Sequence, residues 1–103
     1  MQPPSPAPTE RDAFLVALTG DVDIARKSEL AGLVSEFRRS GAADVDIDLT
    51  AVEFMDSTGV GAIFALRRLA VERGGDVRIA HPSRAVRRVL DVSGVSGLCE
   101  IVD

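Results

Sequence analysis

The sequence predicts one α/β domain built on a largely parallel sheet, and three observations carry that expectation. Leu30, Leu33, Val34 and Phe37 recur at i, i+3, i+4 and i+7, the spacing of one helix face. Val45, Ile47 and Leu49 alternate with Asp46 and Asp48, the two-residue period of a strand. Runs of these two kinds follow one another as strand, helix, strand, helix, strand, helix, strand. Alternation of this sort builds strand–helix–strand units, whose strands lie parallel. At 103 residues the chain holds a single domain.

The elements follow in order. Residues 1–12, MQPPSPAPTERD, carry four of the five prolines. Proline lacks an amide donor and disfavours helix and central strand, so this segment reads as a flexible or edge arm and the folded domain as 13–103. AFLVALTG is a short apolar run closed by Gly20, a first strand. Asp23 suits the cap of the helix that follows, Arg38 and Arg39 suit its C-terminal turn, and Gly41 its stop. DVDIDLTAV is the second strand, 57–73 the second helix ending at Gly74-Gly75, and DVRIA the third strand. Pro82 and Ser83 open a third helix that places Val86, Val89 and Leu90 on one face, and LCEIVD is a last short strand.

Composition excludes several functions. A formal net charge of −4 argues against a general attraction to nucleic acid or anionic lipid. Four Phe without Trp or Tyr provide no platform for stacking bases. Cys99 is the single cysteine, so no disulfide forms within the chain, and its apolar setting reads as a buried structural thiol. No apolar run approaches the ~20 residues of a membrane span. The N-terminus lacks the basic and apolar regions of a signal peptide, so a cytoplasmic protein is expected.

The most informative stretch is EFMDSTGVGAIFAL, residues 53–66. Asp56 or Ser57 suits the helix cap, because a side-chain oxygen there accepts from the free first-turn amides. On a helical wheel Ala62, Ile63, Leu66, Leu69 and Ala70 form the core stripe. Ser57, Gly61, Arg68 and Glu72 fall on the opposite side. Val60, Phe64 and Val71 form a further strip, either a contact surface beside Ser57 or filling for the seam between helix and sheet. Gly59 and Gly61 each cost about 0.5–1 kcal/mol in a helix relative to alanine. Close backbone approach, to the sheet at Gly59 and to a partner at Gly61, would account for them. An exposed Ser57 at a helix N-terminus would also tolerate a phosphate, which the helix dipole and first-turn amides favour.

Catalytic readings find little support. Ser57 lacks the G-x-S-x-G frame of a nucleophile elbow, and nothing ties the single histidine, His81, to it. The Asp-Ser-Thr-Gly string occurs once, whereas an aspartic protease needs two carboxylates sharing a proton. Asp44, Asp46, Asp48 and Asp56 have no neighbouring His or Cys, so solvated or sheet-edge carboxylates are expected rather than metal ligands. No phosphate-binding glycine motif is present. A non-enzymatic protein is expected, with no catalytic residues and no metal.

Three blocks in register resemble the STAS domain family, in its anti-sigma factor antagonist branch: LTGDVD (18–23), DLTAVEFMDSTGVGAI (48–63) and SRAVRRVLDVSGV (83–95). The resemblance implies a STAS-like fold, a mixed, largely parallel sheet of four to five strands with helices mainly on one side. It implies a partner, an anti-sigma factor that is also a serine kinase. Unphosphorylated, such a protein binds that kinase and frees the sigma factor; phosphorylated, it lets go, and a PP2C-type phosphatase resets it. Ser57, directly after the motif aspartate, matches the phosphorylated serine, with Thr58 as its rival. Asp23 matches a family position beside that loop. The implied partner surface comprises Asp23, Asp56, Ser57, Thr58, Gly59, Val60, Gly61 and Phe64. ATP and Mg²⁺ would belong to the kinase, leaving no cofactor here.

The chain departs from the pattern at both ends. The family's usual first strand falls where this chain is proline-rich, at residues 3–9, and the family's C-terminal helix is absent. Both ends help to shield the sheet in the family, so a monomer or weak dimer is expected. The alternative reading is a STAS scaffold or interaction module, in a stress-signalling assembly or beside a transporter, without a serine switch.

Overall fold

The computed structural model describes residues 13–103. Four strands, β1 (Ala13–Val22), β2 (Asp44–Met55), β3 (Val77–Ala80) and β4 (Glu100–Val102), form one sheet in the order β1-β2-β3-β4. Every adjacent pair is parallel. Between them run α1 (Lys27–Ser40), α2 (Ser57–Glu72) and α3 (Arg84–Ser93). Single 3-10 turns, Ile24–Arg26 and Val95–Gly97, precede α1 and follow α3. The predicted α/β class and parallel pairing hold across the described strands. The proline-rich arm, and with it the position of the family's usual first strand at 3–9, lies outside the described residues.

The strand period decides which side of the sheet is covered. Val16 and Leu18 of β1, Val45, Ile47 and Leu49 of β2, and Val77 and Ile79 of β3 are buried. They share one core with Leu30 and Phe37 of α1, Ile63, Leu66 and Ala70 of α2, and Val86 and Leu90 of α3. The three helices therefore pack on one face. The alternate residues point the other way: Leu15 is 73% exposed, and Asp46, Arg78 and Glu100 stand side by side across β2, β3 and β4. Arg78 lies 3.7 Å from both carboxylates, a cross-strand ion-pair ladder on the open face.

β1 and β2 run further than the sequence suggests. Gly20 does not close β1. It takes a φ of +73°, which an L side chain rarely adopts, and the register shifts beside it while pairing continues to Val22↔Met55. A glycine in a strand marks such a bulge as readily as an end. The extension carries the final pair of β1 and β2 to the same edge of the sheet, so the segments after Val22 and Met55 emerge side by side.

Candidate functional site

Two short turns leave that edge with the same construction. After Val22, Asp23 accepts a hydrogen bond from the Ala25 amide at 3.0 Å and caps the 3-10 turn that leads into α1. After Met55, Asp56 accepts from the Thr58 amide at 2.8 Å and caps α2. The Asp56 amide donates to the Val22 carbonyl at 3.2 Å, which ties the second turn to the first. Of the two candidates for the α2 cap, Asp56 is the one used. Ser57 is consequently the first residue of the helix, exposed and not required as the cap. Thr58 is half-buried, with its amide engaged by Asp56.

The two glycines have different roles. A Cβ on Gly59 would lie 2.7 Å from Met55 Cγ and 2.9 Å from Val22 Cγ1, so the missing side chain lets α2 approach both strand ends. A Cβ on Gly61 would meet nothing within 4 Å. Gly61 instead lines a groove of about 490 Å³ between α1 and α2, together with Ser57, Thr58, Ala62 and Ala65 of α2. The opposite wall is formed by Ile24, Lys27, Leu30, Ala31 and Val34. Small residues keep the α2 wall low, and the lining is mostly aliphatic. Ser57 thus stands beside an apolar groove.

The residues of the expected partner surface differ in exposure. Gly59 and Val60 are buried, Val60 at 8% exposure. Val60 fills the seam against the sheet, while Phe64 (36%) and Val71 (46%) remain exposed. Those two line a separate shallow groove with Arg67, Arg68 and Glu72. Leu69 and Ala62, placed in the core stripe by the wheel, are only partly buried against it. The wheel misses the groove beside Ser57 because half of its lining, Ile24, Lys27, Leu30, Ala31 and Val34, comes from α1 and the 3-10 turn before it.

The turn before α1 is held from within. Arg26 forks onto Glu29, with nitrogen–oxygen distances of 3.0 and 2.8 Å, and donates to the carbonyls of Thr19 and Asp21. Its hydrogen bond to Glu29 is the main reason the arginine pKa is raised and the Glu29 pKa lowered. The other acidic residues singled out in the sequence have local partners. Asp48 accepts from both the hydroxyl and the amide of Thr50, which lowers its pKa. Asp46 faces Arg78. Among the described residues no group of three His, Cys, Asp or Glu side chains is placed to hold a metal. His81 follows β3 with a φ of +57° and donates its amide to the Val102 carbonyl at 2.7 Å. It is not part of the Ser57 groove. Cys99 is buried, and burial pushes its thiol up to about 11. No described helix is long and apolar enough to cross a membrane.

A family model described as "Mlab, STAS domain" matches residues 7–103. The chain belongs to the STAS domain family. This STAS chain is 27% identical over 93 residues to an anti-sigma-B factor antagonist of Staphylococcus epidermidis, covering 90% of this chain and 86% of that one. It is 28% identical to an anti-sigma F factor antagonist of Paenibacillus polymyxa, over 90% and 80% of the two chains. The fold matches the unphosphorylated form of the anti-sigma factor antagonist SpoIIAA with a TM-score of 0.78 at 22% identity, covering 90% of this chain and 82% of that one. The phosphorylated form of SpoIIAA from Bacillus matches at 0.69 and 21%, over 90% and 85%.

Proposed function

We propose that this STAS protein is an anti-sigma factor antagonist, a regulatory binding protein switched by phosphorylation at Ser57. The observation that carries the reading is the position of Ser57: exposed, first in α2, freed from capping by Asp56 and beside an apolar groove. Unphosphorylated, the chain binds an anti-sigma factor serine kinase through Asp23, Asp56, Ser57, Thr58, Gly61, Phe64 and the groove walls, and the sigma factor is released. The kinase supplies ATP and Mg²⁺. The Ser57 oxygen bonds to the γ-phosphorus as the bond to the bridging oxygen breaks. ADP leaves, and the hydroxyl proton passes to a base of the kinase. The dianion then adds charge and bulk at the centre of the contact, and a hundredfold loss of affinity corresponds to about 2.7 kcal/mol. A PP2C-type phosphatase restores the binding form. The curated antagonists to which the chain is similar support this reading.

The test is to incubate the protein with purified anti-sigma kinases and ATP and to read mass and site. One added phosphoryl group, lost in Ser57→Ala and kept in Thr58→Ala, is expected. Loss in Thr58→Ala alone would move the switch to the rival residue. The family description names Mlab rather than an antagonist, which keeps the scaffold reading as the second one. Stable partner binding with no phosphoryl transfer from any kinase would favour it.

A further inference from the structure

Lys27 is the only lysine of the chain; the basic residues besides it are arginines and the single histidine, His81. It opens α1 as Ser57 opens α2, and both line the same groove. Their helices rise from one edge of the sheet, beyond the paired Val22 and Met55. The neighbouring Arg26 is committed to Glu29 and to two carbonyls. Among the described residues the ion pairs engage Arg26, Arg67, Arg78 and Arg87, and Lys27 takes part in none. Among the described residues, therefore, an exposed cation without an ion pair stands on the groove wall opposite the serine.

We propose that phosphorylation at Ser57 draws the Lys27 ammonium across the mouth of the groove onto the phosphate, so that the modified protein covers the apolar surface it offers when unmodified. The proposal rests on Ser57 as the modified residue. A lysine is suited to this role: its flexible aliphatic stem lies readily along apolar walls while its head stays with an anion. The other charges at this edge work differently. Asp23 and Asp56 repel a phosphate and the first-turn amides of α2 attract it, but all are held by the capping geometry, as Arg26 is held by Glu29. Release of a partner then has two components. The phosphate brings charge to the contact, and Lys27 covers the groove that an apolar side chain of the partner would enter. Glutamine or alanine at position 27 would retain the first component and lose the second.

The test installs phosphoserine at position 57 during translation. This route needs no kinase, so its outcome is independent of whether a kinase recognises the chain. The second phosphate pKa is followed by phosphorus NMR, with Lys27 present and in Lys27→Gln. Groove access is read in parallel from the labelling rate of an Ala31→Cys thiol, since Ala31 is an exposed lining residue and the native Cys99 is buried. Lys27→Gln is expected to raise the phosphate pKa by about half a unit, the size of an exposed ion pair. Phosphorylation is expected to slow labelling at position 31 several-fold with Lys27 present, and not in Lys27→Gln. Lys27→Arg should retain both effects. Equal phosphate pKa values with and without Lys27, or labelling that phosphorylation leaves unchanged, overturns the proposal.

Discussion

Alanine at 59 and alanine at 61 should act in opposite directions, though both replace a glycine in the first turns of one helix. Gly59→Ala would force a methyl group against Met55 and the stiff Val22 side chain. Overpacking of that kind costs about 1–3 kcal/mol, more than the roughly 0.5–1 kcal/mol that alanine gains in a helix. The variant should unfold at lower denaturant. Gly61→Ala meets open space and keeps the helical gain, so it should unfold at higher denaturant. Its methyl group would also enter the groove, and partner affinity should fall. Urea titration of both variants, with a binding isotherm for the second, checks the pair. Ser57→Asp should fold as the parent does, because an acid at N1 is favoured by the helix dipole by about 0.3–1 kcal/mol. It should bind the kinase about a hundredfold more weakly. A markedly lower melting temperature would contradict the exposed placement of Ser57.

At the scale of the element, the helix ends carry the specific contacts. Asp56→Ala removes the α2 cap and should cost about 1 kcal/mol. Its effect on binding should exceed that on stability, since the same turn presents Ser57. The C-terminus of α1 is held from a distance. Arg73, just after α2, donates to the carbonyls of Phe37, Arg38 and Ala42 and lies 4.9 Å over the Phe37 ring. Three acceptors and an aromatic face suit a planar fork and not a point charge. Arg73→Lys should therefore lower stability by about 1–2 kcal/mol despite the conserved charge. Thermal unfolding of this variant beside Arg68→Lys, on the exposed face, separates the contact from the charge. The α1 core stripe was legible as Leu30, Leu33, Val34 and Phe37. The Arg73 clamp was not, because its partners lie more than thirty residues away in sequence.

For the whole molecule, the shifted groups set how stability varies with pH. Glu29, Asp48 and Asp91 have lowered pKa values, the last held chiefly by the Ser96 hydroxyl. Their contributions are present above the ordinary carboxylate range and fade as pH falls through it. All three are exposed, so the acid side should slope gently. Cys99 acts in the opposite sense. Its pKa is raised from 9.0 to about 11, so the unfolded chain ionises first. Stability from the neutral thiol is complete below pH 9 and is lost as pH rises towards 11. Melting temperatures of the parent and Cys99→Ala should converge over that interval. An aromatic disulfide reagent should leave the native thiol unmodified at pH 8 and react once urea unfolds the chain.

The sequence alone determined the alternation of strands and helices, the parallel pairing it entails, the core faces of the helices and the singular Asp-Ser-Thr-Gly joint. These are legible because period, caps and glycine breaks are local properties of the backbone and are written at fixed spacings. Tertiary structure decided what the joint faces. It assigned the cap to Asp56, buried Val60 and built the far wall of the groove from Ala31 and Val34 of α1 and from Ile24 in the turn before it. It also placed Lys27 on that groove, thirty positions before Ser57 in the chain. No helical wheel contains such a relation, because a wheel records one helix and the groove exists only where two helices pack on the same face of the sheet.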